Sequence, residues 1–105
     1  MSRFASYVLI FILFAAVLGL AAACETAPPV QEMSDARQAI AVAREAVPGE
    51  TAARELETAE TYLQSAEQNL TRRNYSRARA DALEAKARAL RSLELSETAK
   101  LPPQY

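Results

Sequence analysis

Histidine and tryptophan are absent from this 105-residue chain, cysteine occurs once and glycine twice. Without histidine, the side chain most used for acid–base chemistry near neutral pH is missing. A single cysteine forms no intrachain disulfide, and without histidine a metal site would depend on carboxylates. The formal net charge is −1, which gives no basic excess for binding nucleic acid. No stretch alternates apolar and polar residues with a period of two, so no strands are expected. All three phenylalanines (Phe4, Phe11 and Phe14) precede residue 24, and beyond it Gly49 is the only glycine.

The chain concentrates its apolar residues at the N-terminus. Tyr7 to Cys24 is an uninterrupted apolar run with Arg3 before it and Glu25-Thr-Ala-Pro-Pro29 after it. A basic start, an apolar stretch and small residues describe a secretory signal peptide. Ala21, Ala22 and Ala23 stand immediately before the lone cysteine, and the segment resembles a bacterial lipoprotein lipobox. The resemblance implies a signal peptide over 1–23, cleavage before Cys24, and diacylglycerol plus an acyl chain on Cys24. Ala21 stands where the lipobox usually carries a bulkier aliphatic residue. Glu25 implies sorting to the outer membrane, facing the periplasm. No other cofactor is expected. The runner-up is an uncleaved signal anchor, because 18 residues (7–24) approach the length that spans a hydrocarbon core of ~30 Å. Arg3 would hold its N-terminus in the cytoplasm. Both readings export residues 25–105.

The exported part reads as all-α. It holds seventeen alanines with abundant Glu and Arg, a composition that favours helix. Residues 24–29 form the lipidated cysteine and a tether. A three-helix domain is expected over 30–98 and a frayed tail over 99–105, the body being a short helix packed on a long antiparallel hairpin. In the first helix, Val30 to Val47, residues Met33, Ala36, Ile40, Ala43 and Val47 share one face, and Pro48-Gly49 stops it. In the second, Glu50 to Arg72, Ala52, Leu56, Ala59, Leu63, Ala66 and Leu70 follow coiled-coil spacing, every other knob being a methyl. Asn74 is expected to cap a third helix reaching about Glu97. There Tyr75, Ala78, Ala82, Ala85 and Ala89 line one side, and Leu83, Leu90 and Leu93 widen it.

Charge divides between the two long helices. Residues 45–71 carry a net −5 and residues 72–91 a net +5. The main expectation is direct attraction across the hairpin. The second is that Arg72, Arg73, Arg77 and Arg79 contact anionic lipid headgroups, an acidic partner, or the carboxylates of peptidoglycan.

Two further resemblances bear on function. Ser34 to Ala46, followed by Ala59, Leu63, Ala66, Leu70, Tyr75 and Ala78, resembles a family of short helical bacterial lipoproteins described only as a domain of unknown function. Some members place this module ahead of an OmpA-type peptidoglycan-binding domain. Tyr62, Ala66, Tyr75, Ala78 and Ala85 are spaced similarly to the signature of one tetratricopeptide unit, which implies protein–protein contact. No serine has a recognisable base beside it, so catalysis is not expected. The chain is read as a non-catalytic interaction or scaffold module of the cell envelope. Its expected partners are the membrane through the lipid, and an envelope protein or a second copy. Non-covalent peptidoglycan binding is the alternative.

Overall fold

The computed structural model describes residues 2–100, with the side chains of 19–26 outside what is described. Four helices make up these residues: α1 (Ser2–Thr26), α2 (Val30–Ala46), α3 (Glu50–Thr71) and α4 (Tyr75–Lys100). No strand occurs among the described residues, whose architecture is all-helical.

Local chemistry sets the breaks. Ala27 and Pro28 lie outside helix, and Pro29 precedes the first residue of α2. Val47 takes extended backbone (φ −64°, ψ 94°), as the residue before a proline must, because the ring of Pro48 clashes with helical geometry. The first helix therefore ends at Ala46, one residue earlier than its apolar spacing suggests. Gly49 supplies φ 96° ahead of α3, a conformation open to glycine and strained for other residues. The second break is built differently. Arg73 sits in the left-handed region (φ 62°). Its N–H donates to Leu70 O (3.0 Å), and Asn74 N–H donates to Asn69 O (2.8 Å). This is the Schellman arrangement, with arginine where glycine is usual. The backbone O of Asn74 then accepts from Ala78 N–H (2.9 Å), opening α4. That helix continues to Lys100, past the end expected at about Glu97; residues 101–105 of the expected tail lie outside the described residues.

Helices α2, α3 and α4 run up, down and up. Met33 and Ala36 of α2 meet Ala66 of α3 and Ala82 and Ala85 of α4. Farther along, Ile40 and Ala43 meet Leu56 and Ala59 and then Ala89. Thus α2 is parallel to α4 and antiparallel to α3. Helix α4 packs on both of the others, which touch each other less. Its buried face is Ala78, Ala82, Ala85, Ala89, Ser92 and Ser96, a seam with no side chain larger than serine. The bulk comes from Met33 and Ile40, with Leu56 at the edge of burial and Tyr62, Leu63 and Leu70 half-buried against it.

Three expected core residues lie elsewhere. Val47 is 38% exposed, Leu83 51% and Leu90 49%. Val47 leaves the helical face because Pro48 bends the chain away from it. Leu83 and Leu90 each follow a seam alanine by one position, about 100° around the helix, which turns them away from the seam instead of widening it. Tyr75 and Leu93 are half-buried.

Helix α1 adds nothing to this core. Its described side chains, residues 2–18, are all exposed. Among the described residues, no helix is long and apolar enough to cross a membrane.

Three substitutions test this packing. Ala85→Leu forces a larger side chain into the seam and should lower stability by roughly 1–3 kcal/mol, whereas Ala87→Leu on the exposed side should change it by less than about 0.5 kcal/mol. Arg73→Gly removes the left-handed strain and should raise stability by about 1 kcal/mol. Urea denaturation of the three variants measures each difference.

Candidate functional site

The topology gathers one set of residues at a single end of the bundle. Because α2 is parallel to α4, the start of α2 and the α3–α4 turn lie side by side. Arg79 fastens them: its Nη2 donates to the backbone O of Ala27 (3.1 Å) and its Nε to Glu32 Oε1 (3.2 Å). Ala27 is three residues after Cys24, so Cys24 lies within about 10 Å of this clamp even on extended chain. Cys24 and Ala21 to Ala23 fall on the backbone of α1, and their side chains lie outside the described residues.

Arg72, Arg73 and Arg77 project from the same end. All three are exposed, and the ion pairs among the described residues use none of them. From residue 68 to residue 80 the chain has four arginines and no acidic residue. A shallow open groove lined by Arg73, Tyr75, Ser76, Arg77, Ala80 and Asp81 flanks the turn. Of the four arginines singled out in the sequence, three therefore form an exposed cationic rim. The fourth, Arg79, is engaged within the protein.

The remaining charges pair through α2 more than across the hairpin. Arg37 and Arg44 of α2 reach Glu67 (3.4 Å) and Glu60 (2.8 Å) of α3. Glu32 and Asp35 of α2 reach Arg79 (3.2 Å) and Lys86 (3.9 Å) of α4. Only Glu55–Arg88 (3.4 Å) joins α3 directly to α4 among the described residues. Arg88 also donates to Glu84 (3.0 Å). Hydrogen bonding to Glu84 first, and to Glu55 next, holds the Arg88 pKa above its ordinary value.

Polar groups lock the hairpin from inside. Ser65 Oγ donates to Asp81 Oδ2 (2.7 Å), and Asn69 Nδ2 donates to the same oxygen (2.9 Å). Asn69 is only 8% exposed. Toward the other end, buried Ser92 Oγ donates to the backbone O of Ala52 (2.7 Å), and Ser96 Oγ donates to Leu93 O (2.8 Å). Sequence reading missed Asn69, Ser92 and Ser96 as buried residues. The signal was present: the 4-3 spacing of Ala78, Ala82, Ala85 and Ala89 continues through Ser92 to Ser96.

Some large apolar side chains of the bundle stay exposed. Leu83 and Leu90 lie exposed on α4 and Val42 on α2. A shallow groove between the two helices is lined by Asp35, Gln38, Ala39, Lys86 and Leu90. Among the described residues, no group of three or more His, Cys, Asp or Glu stands close enough to hold a metal ion.

Comparison with family models, curated proteins and solved structures returns no match. The lipobox, helical-lipoprotein and tetratricopeptide resemblances therefore rest on the residues alone.

Asp81→Ala should leave the Asn69 amide without its carboxylate and cost roughly 1–3 kcal/mol. Ser92→Ala should cost about 1 kcal/mol. Urea unfolding of each variant against the parent chain tests whether these contacts hold the hairpin.

Proposed function

We propose that the chain is a lipid-anchored cell-envelope protein, exported and held by Cys24, whose helical bundle serves as a non-catalytic interaction or scaffold module. The observation that carries this reading is the division of apolar surface. The bundle satisfies its own interior with methyl groups, while two apolar surfaces stay uncovered. One is α1, where Phe4, Leu9, Phe11, Ile12, Phe14 and Val17 are each more than half exposed. A helix apolar on all sides needs non-aqueous surroundings, which an export segment finds in the bilayer. The other is the pair Leu83 and Leu90, seven residues apart on one side of α4, offered to an envelope protein or to a second copy. An outer-membrane location facing the periplasm is part of the same proposal and rests on Glu25 following Cys24.

Two measurements test it. Cys24→Ser should abolish incorporation of labelled palmitate and leave a precursor that keeps its apolar run. A parent chain that takes up no palmitate would replace the lipoprotein with a signal anchor. Leu83→Lys with Leu90→Lys should remove in-cell crosslinks to the partner or to a second copy, with a stability change under about 0.5 kcal/mol. Crosslinks that survive the double substitution would refute the leucine pair as the docking face.

A further inference from the structure

The cationic rim and the anchor lie at the same end of the molecule, and nothing in the sequence alone places them together. They are separated by almost fifty residues of chain. The up-down-up topology and the Arg79 clamp on Ala27 and Glu32 bring them to one place. Resting on the anchored reading, we propose that Arg72, Arg73 and Arg77 form a membrane-docking rim that seats the bundle end-on upon anionic lipid headgroups.

Three observations carry this. The first is distance. Cys24 lies within about 10 Å of the clamp, comparable to the Debye length of about 8–10 Å at physiological salt. A bilayer holding the lipid of Cys24, or holding α1 itself, therefore meets the bundle at the end that carries the rim. The second is charge availability. Glu32, Asp35, Glu60 and Glu67 are already paired with other cations, and Asp81 accepts from Ser65 and Asn69. The rim arginines are thus left with no described acidic partner. The third is polarity along the bundle. Its opposite half exposes Glu45, Glu57, Glu94 and Glu97 against Arg91 and Lys100, none of them in a described ion pair. An anionic surface therefore attracts one end and repels the other. Tyr75 is half-buried between Arg73 and Arg77 in sequence, and tyrosine is a residue favoured at membrane interfaces.

Docking predicts a local readout. The N–H groups of Tyr75, Ser76 and Arg77 open α4 and have no partner one turn earlier in the helix, so in a free bundle they exchange hydrogen rapidly. The test uses the full chain reconstituted into phosphatidylglycerol vesicles and, separately, into phosphatidylcholine vesicles, with hydrogen exchange read by mass spectrometry. Exchange over 75–77 should slow by about tenfold or more on phosphatidylglycerol, within the roughly hundredfold gain in binding that three arginines at about fivefold each supply. Exchange over 47–50 at the opposite end should not change. The slowing should vanish on phosphatidylcholine, in 0.5 M salt (roughly 4 Å Debye length), and in the Arg72→Gln, Arg73→Gln, Arg77→Gln triple variant. Equal exchange on the two lipids, or slowing that persists in the triple variant, overturns the rim. The anchor is read independently by flotation with phosphatidylcholine vesicles. A chain that fails to float there but shows arginine-dependent slowing on phosphatidylglycerol keeps the rim and loses the anchor. A chain that floats with neither lipid overturns the rim.

Discussion

Everything in the bundle depends on how closely α4 approaches its two neighbours. Its buried face is four alanines followed by two serines, so the helix backbone presents almost no side-chain thickness there. Dispersion attraction falls steeply with separation, and a thin seam lets larger side chains opposite it make contact along the whole length. Met33 and Ile40 from α2, with Leu56 and Leu63 from α3, fill the space. The division of labour is one-sided: two helices provide bulk and the third provides room. A small core results, consistent with a domain in which modest burial must offset the ordering of every residue.

Close approach also shapes the electrostatics. Helices α3 and α4 have opposite net charge, yet their facing surface is given over to methyls, which leaves little edge for ion pairs. Helix α2 carries both signs and lies in the groove between them, so it receives the carboxylates of α3 on its arginines and the cations of α4 on its acids. These contacts are mostly exposed, and individually such pairs contribute little. Their collective effect is directional. They favour α2 in the orientation that puts Glu32 and Asp35 beside Arg79 and Lys86.

Helix number and most boundaries were legible because the spacing of apolar residues and the Pro48-Gly49 stop are local properties. Ala52, Leu56, Ala59 and Ala66 follow the expected stripe for that reason. The errors arose where a residue's place depends on a partner. Leu83 and Leu90 are apolar and adjacent to the seam, and only the geometry of close packing decides that the alanine beside each one is the buried residue. Ser92 and Ser96 share the spacing of the seam, but their polarity argues for the surface, and only packing shows them buried. Asn69 is buried because Asp81, on another helix, accepts its amide. Of the arginines singled out at the turn, Arg79 could be separated from Arg72, Arg73 and Arg77 only by knowing that α2 begins beside it. The lipobox expected at Ala21 to Cys24 is different in kind: it is a short linear pattern, and the packing of the bundle does not bear on it.

The uniformity of the α4 seam has one more consequence. A helix whose successive knobs are identical methyls could slide by seven residues along its neighbour and find nearly the same surface again, since Ala78 and Ala85, or Ala82 and Ala89, are interchangeable in shape. Side-chain size therefore does not determine alignment. What breaks the degeneracy is polar and lies toward the two ends of the hairpin: Asp81 with Ser65 and Asn69 near the turn, and Ser92 with the carbonyl of Ala52 near the open end. A slide of two turns would break both sets of contacts and leave Asn69 and Ser92 buried without their partners. The seam works as a smooth rail, and the two polar contacts are the stops that fix where along it the helix comes to rest.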